Sequence, residues 1–241
     1  MSFTFLSSRA GSLWRSTSAA EAVEPEKLFN RSFLVLWQGQ AVSQFGNQAF
    51  AVMMMFWTRE ATGSASLVGL LMMLSSLPGL LLGPFGGTVA DHHSRKMLII
   101  GSDLVRGMGL LCLAGVMARH GRSVEVVLPL LVTVALLEGI MSSLFFPAIS
   151  ASIPDLVPRE KVASANSLFQ FSSRSAVTLG QAAGGMLYGA LGAVTLCLID
   201  SLSFLFSALC AAFVSIPRHR PSGNAERGTY LPDTLEGLRF V

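Results

Sequence analysis

The sequence predicts an all-α membrane protein of six transmembrane helices, and three observations carry that prediction. Of 241 residues, 51% are hydrophobic and only 13% charged, about half the ~25% charge of an ordinary soluble domain. Too little charge is left to coat a water-facing globule of this size. The apolar residues fall into six runs, each near or above the ~20 residues that a ~30 Å hydrocarbon layer requires. Lys and Arg gather in alternate connections between those runs, the asymmetry that sets orientation in a bilayer. High apolar content, no glycine period and three cysteines exclude disordered, collagen-like and disulfide-scaffold classes. The basic residues form no stripe interleaved with aromatics, which excludes nucleic acid as a partner.

Residues 1–30 are polar and mixed in charge, with no apolar segment behind a basic start. They predict a cytoplasmic tail rather than a cleaved signal peptide. The expected spans are 33–57, 66–90, 97–118, 126–152, 164–190 and 192–216, inside a transmembrane domain at 31–217. Short connections make consecutive helices expected antiparallel neighbours. Residues 218–241 return to polar composition and predict a second cytoplasmic segment. Twelve of the 17 Lys and Arg fall on the side of the two tails, among them Arg95, Lys96, Arg159 and Lys161. Arg59, Arg119 and Arg122 fall on the other side, and Arg106 and Arg174 within spans. Both termini are therefore expected in the cytoplasm, with a multi-pass chain in the plasma (inner) membrane. Cys112, Cys197 and Cys210 lie in apolar runs without metal spacing and read as small buried hydrophobes. Neither a cofactor nor a metal is expected.

Charges at lipid depth are costly, at least ~2.5–3.5 kcal/mol each near a helix centre, and so mark candidate sites. Asp103 and Arg106 stand three apart on one face of the third span and can neutralise each other. Glu138 in the fourth span and Arg174 in the fifth each lie roughly 15–21 Å from the cytoplasmic end at 1.5 Å per residue. They are expected to meet near mid-membrane, as a buried structural pair or on a polar pathway. Asp200 in the sixth span has no basic partner at its depth and is left to Ser201 or Ser203. These three acids and bases, Glu138, Arg174 and Asp200, are the coupling candidates. Gln40, Gln44, Asn47 and Gln48 recur at i, i+4, i+7 and i+8 of the first span. Four amides on one stripe must face protein or water; helix glue is one reading, a substrate-cavity wall the other. G-x-x-x-G spacings at Gly83 and Gly87, Gly180 and Gly184, and Gly185 and Gly189 mark close helix packing. Pro78 and Pro84 add bends to the second helix.

The connection Gly87-Thr-Val-Ala-Asp91-His92-His93-Ser94-Arg95-Lys96 sets one acid and two bases at a membrane face, where they can latch helix ends. Here the sequence resembles the major facilitator superfamily, whose loop reads G-x-x-x-D-[RK]-x-G-[RK]-[RK]. Gly87, Asp91, Arg95 and Lys96 match, while His92 and Ser94 depart from it. The resemblance extends to a prokaryotic branch of siderophore, macrolide and drug exporters. It is carried by Gly63-Ser64, Pro78, the Leu80–Pro84 run, Asp103-x-x-Arg106 and Phe146-Pro147-Ala148. Ile153-Pro154-Asp155-Leu156-Val157-Pro158 leading to Ala165-Asn166 adds to it, as do Asp200 and Phe204. The branch's Gly-Asp in the first span is here Gly46-Asn47, and its antiporter pattern G-P-x-x-G-G is here Gly180-Gln181-Ala182-Ala183-Gly184-Gly185, without the proline.

The resemblance implies the N-terminal six-helix half of a secondary transporter that works by alternating access and exports small amphipathic molecules against inward proton flow. It implies a cytoplasmic gate of Gly87, Asp91, Arg95 and Lys96, with Asp103 as its inner partner. It also implies glycine faces on the second and fifth helices that pack across to another half. The residues from Leu235 to Val241 look like the start of a connection to that half, so the missing C-terminal half or a second copy is the expected partner, beside the bilayer and the substrate. A truncated or non-transporting half that needs a partner is the second reading. An intramembrane hydrolase would need an embedded His beside its nucleophile, but His92, His93, His120 and His219 all lie in connections. No G-x-x-x-x-G-K-[ST] loop occurs, so the chain itself hydrolyses no ATP; service as the permease of a separate ATPase rests on helix count alone.

Overall fold

A computed structural model describes residues 28–121 and 123–214. The expected tails lie almost wholly outside these residues, as do the side chains of Pro84, Asp91 and His92. Within them the chain is helical: α1 (Arg31–Thr62), α2 (Ala65–His92), α3 (Arg95–His120), α4 (Val124–Leu156) and α5 (Val162–Phe213), with one 3-10 turn at Arg159–Lys161.

Local chemistry places the boundaries. Asn30 opens α1, its side chain accepting from the Phe33 N–H at 2.9 Å, which satisfies one orphan donor of the first turn. Gly63 closes α1 in the left-handed conformation at φ 70°, and Ser64 caps α2 through the Leu67 N–H. A Gly-Ser pair is thus sufficient for the whole turn.

The fifth and sixth expected spans are one helical run broken at Gly192, where φ 75° and ψ 169° interrupt the helix. No other residue type adopts that conformation readily. The two limbs fold back on each other. Phe33, Trp37 and Gly180 with Gln48 set α1 parallel to the first limb, whereas Gly39 against Cys210 and Gly46 against Ser203 set it antiparallel to the second. Four helices are long and apolar enough to cross a membrane: α2, α3, α4 and the broken run of α5. α1 has the length at 32 residues, but its amides lower its hydropathy.

Packing does not follow chain order. α3 and α4 are neighbours as expected, but α1 barely meets α2, and α2 barely meets α3. The main partner of α1 is α5, that of α2 is α4, and α3 packs on the second limb of α5. Small residues decide this. Gly86 of α2 approaches the Ser143 carbonyl of α4, which Pro147 leaves without its helical N–H partner. Gly139 of α4 in turn receives Ser75 and Pro78 of α2. On the other flank Gly180, Gly184 and Gly185 receive Gln48, Val52 and Phe56 of α1. Gly180, Gly184 and Gly185 therefore face α1, not an external half. Gly83 makes no close contact: a side chain there would meet open space, as at Gly87 and Gly189.

Candidate functional site

Three features of the bundle carry polar chemistry: a buried charge cluster, a cleft beside it and a charged ring at one end. The cluster lies where α3, α4 and the second limb of α5 meet. Arg106 is its centre. Its Nε lies 3.6 Å from a Glu138 carboxylate oxygen, and its terminal nitrogen donates to Ser142 Oγ. The guanidinium sits 5.2 Å from the ring centres of both Phe145 and Phe204, within cation–π range. Asp103 accepts from Ser207 Oγ at 2.7 Å, and Ser207 accepts from Gln40 Nε2 at 2.8 Å. Asp200 is held by Ser203, whose hydroxyl donates to its carbonyl at 2.7 Å and its Oδ1 at 3.3 Å. Ser201 donates instead to the Gly107 carbonyl of α3.

Two expected pairings are thereby corrected. Glu138 meets Arg106, not Arg174, because α4 packs on α3 and only slightly on α5; Arg174 is an exposed residue of the first limb. Arg106 therefore does not serve Asp103 alone. Asp103, Arg106, Glu138 and Asp200 are 0–5% exposed, so they border no open passage in this conformation. With three carboxyls to one guanidinium, the cluster would carry two net negative charges fully ionised, and two protons would neutralise it. One oxygen each of Asp103, Glu138 and Asp200 finds no hydrogen-bond partner among the described residues, an unusual concentration for buried polar groups.

The cleft, about 120 Å³, is lined by α1, α4 and the first limb of α5. Gln40, Gln44, Ser150, Asn166, Gln170 and Ser173 supply its polar lining; Phe145, Phe146 and Phe169 supply phenyl faces. The amide stripe of α1 is thereby divided. Gln40 and Gln44 reach the cleft, while Gln48 packs on Gly180 and the half-buried Asn47 is not among the lining residues. Sequence reasoning missed the α5 wall, although Asn166, Gln170 and Ser173 repeat the i, i+4, i+7 spacing of Gln40, Gln44 and Asn47. A larger crevice of about 710 Å³ between α1 and the two limbs has Ser203 as its one polar lining side chain. Chemistry, not size, favours the cleft as a recognition surface.

At the end where α1 begins, Arg95 pairs with Asp155 at 2.7 Å and donates to the Ala151 carbonyl. Lys96 donates to the Ala212 carbonyl at 2.7 Å, near the C-terminus of α5, and Asn30 donates to the Leu156 carbonyl. Among the described residues the acid beside Arg95 is thus Asp155 of α4. Asp103 takes no part in this pairing, since eight residues of helix set it about 12 Å deeper. Asp155, quoted in the sequence only as part of a family pattern, was the residue missed.

The helix order, the buried charges and the loop all accord with one family, and the Major Facilitator Superfamily profile matches residues 36–239. The chain belongs to this superfamily. It is a family of membrane transporters, not enzymes, and its members are helical membrane bundles. Macrolide efflux protein A of Streptococcus pyogenes is 27% identical over 209 residues, covering 87% of this chain and 51% of that protein. An uncharacterised transporter of the superfamily from Bacillus subtilis is 26% identical, covering 87% and 48%. A Na(+), Li(+), K(+)/H(+) antiporter of Planococcus maritimus is 28% identical, covering 67% and 37%. The chain spans about half the length of the macrolide efflux relative, and the match to the antiporter covers a smaller share.

Proposed function

We propose that the chain is the N-terminal six-helix half of an exporter that moves small amphipathic molecules outward in exchange for protons. The observation that carries the reading is the cleft, which offers amides and phenyl faces but no fixed charge, beside a buried cluster able to take up protons. Amphipathic molecules match such a wall: apolar bodies lie on Phe146 and Phe169 while polar groups meet Gln44, Asn166 and Gln170. The kinship with macrolide efflux protein A supports the substrate class, and that with a cation/proton antiporter supports the coupling. Six spans follow if α1 crosses with its amides turned inward and α5 crosses twice about Gly192. The ring at Arg95, Lys96 and Asp155 is the cytoplasmic gate, with Gly87 and Asp91 completing it, and both termini are cytoplasmic in the plasma membrane. Asp103, Glu138 and Asp200 carry the protons, with Arg106 as counter-charge.

A completing half, whether a C-terminal half or a second copy, supplies the opposite wall. Two features support that requirement: the relatives' length, and the large apolar side chains exposed on α2 and the first limb, including Leu80 at 76% and Met186 at 80%. The test is intracellular macrolide accumulation in a host lacking the gene and complemented in its genomic context. Wild type lowers accumulation; Gln44→Ala with Gln170→Ala loses about tenfold of that activity, as expected when two hydrogen bonds of recognition go. Asp91→Asn lowers efflux while leaving membrane insertion intact. Unchanged accumulation on gene deletion would refute the exporter reading.

A further inference from the structure

The hydrogen-bond chain Gln40–Ser207–Asp103 joins the cleft to the buried cluster and has a polarity that can be counted. A serine hydroxyl has one proton to give. Ser207 gives its proton to Asp103 Oδ2 at 2.7 Å, so toward Gln40 it can only accept, and it does, from Nε2 at 2.8 Å. The Gln40 amide therefore spends its NH2 on Ser207 and keeps its carbonyl oxygen for other partners. Gln40 itself lines the cleft.

We propose that Gln40 is a polarity switch that couples a proton on Asp103 to what the cleft will bind. When the Asp103 carboxyl takes a proton on Oδ2, the oxygen that faces Ser207, its O–H becomes a donor and gives to Ser207 Oγ. The Ser207 hydroxyl proton is then released from Asp103 and turns to the oxygen of Gln40. That requires the amide to turn over, which exchanges an acceptor for a donor at the cleft. One O–H bond forms, on the Asp103 carboxyl; everything else is hydrogen-bond reversal. An amide turn is a small motion in a side chain whose two ends are nearly isosteric. A substrate carrying N–H groups is held by the acceptor state and released by the donor state, so protonation expels it. The inference rests on the cleft reading above and names its substrate class: amphipathic molecules with N–H donors.

The charged groups that face Asp103 are Arg106, on its own helix, and Glu138, on α4; Asp200, on the second limb, faces those two in turn. α1 contributes the Gln40 amide. Gln40 also lies within direct reach of Asp103, so Ser207→Ala removes the hydroxyl relay alone, whereas Gln40→Met removes the relay and the direct contact together.

Ethidium is a suitable probe, because it is a permanent cation with aromatic N–H donors and no titration near neutrality. Its binding to the whole chain in lipid nanodiscs is followed by fluorescence across the neutral pH range. The unmodified chain binds it about tenfold tighter at the alkaline end than at the acid end, the size of one charge-free hydrogen bond turned from favourable to opposed. Ser207→Ala and Gln40→Met each flatten that ratio to below about twofold, on the same scale. Ser201→Ala, which removes a hydroxyl of the same limb bonded to the Gly107 carbonyl, leaves it intact. Gln40→Met keeps the volume without a donor and gives the same reading should Ser207→Ala loosen the helix contact. A full pH ratio in either variant, folded by circular dichroism, overturns the switch alone. No ethidium binding by the unmodified chain at any pH overturns the cleft reading and the switch with it.

Discussion

Arg106 touches two helices besides its own: α4 through Glu138 and Ser142, and the second limb of α5 through the Phe204 ring. A charge so placed is tolerated because the guanidinium meets an anion, a hydroxyl and two π-systems. Removing one partner from a buried pair strands the other, at a cost of about 3–5 kcal/mol. Arg106→Gln, which takes the cation from a cluster of three buried carboxyls, is therefore expected to lower stability by an amount in that range, and Arg174→Gln, at an exposed position, by less than about 0.5 kcal/mol. Denaturant unfolding of the detergent-solubilised chain followed by circular dichroism compares the two. Equal losses would restore Arg174 as the partner of Glu138. The sequence already contained the depth of both residues, because depth is counted along one helix. It did not contain the pairing, which depends on which helix lies against which.

Helix limits were legible to within a few residues, since caps and turn glycines act locally: Asn30, Gly63 and Ser64 each do their work within one turn. Neighbour relations were not, because they are set by backbone approach at residues whose spacing is uninformative. Gly39 and Gly46 contact the second limb of α5, yet a heptad separation belongs to no familiar small-residue pattern. Gly83, in a G-x-x-x-G spacing, contacts nothing within reach. The spacing counts glycines on a face without saying what covers the face. Two substitutions separate these roles. Gly192→Ala puts a Cβ on a backbone at φ 75°, a strain of about 1–3 kcal/mol at the point where the chain reverses. Gly83→Ala removes a flexible residue from a helix interior at no steric cost, a gain of about 0.5–1 kcal/mol. Thermal unfolding should thus move in opposite directions for the two. A loss at Gly83→Ala would mean that something outside this bundle already occupies its face.

At the scale of the whole molecule the amide stripe, the glycines and the basic connections are three expressions of one constraint: polar groups at lipid depth must be turned away from lipid. Composition made that constraint legible, and with it the fold class; the cleft was half legible, because its α1 wall stands out as a stripe of amides, whereas Asn166, Gln170 and Ser173 form a wall only through the helix they face, which the sequence does not give. Its consequence for orientation can be checked directly. The contacts of Asn30 with Leu156, Arg95 with Asp155 and Lys96 with Ala212 tie the beginning of α1, the α2–α3 and α4–α5 connections and the end of α5 to one end of the bundle. Arg31, Arg95, Lys96, Arg159 and Lys161 belong to that end, against Arg59 and Arg119 at the other. Such a bias predicts the richer end in the cytoplasm. After Cys112, Cys197 and Cys210 are replaced by Ala, Lys161→Cys should resist a membrane-impermeant maleimide in intact cells and react in inverted vesicles. Arg59→Cys should do the reverse. Labelling of both positions from one side would mean that an even number of α2, α3 and α4 cross, since these three helices separate residue 59 from residue 161, and would break the bundle as described. Labelling of each position from the opposite side to that expected would keep the bundle and invert it, moving the Arg95–Asp155 pair to the cell exterior, where it could not serve as the cytoplasmic gate proposed for it.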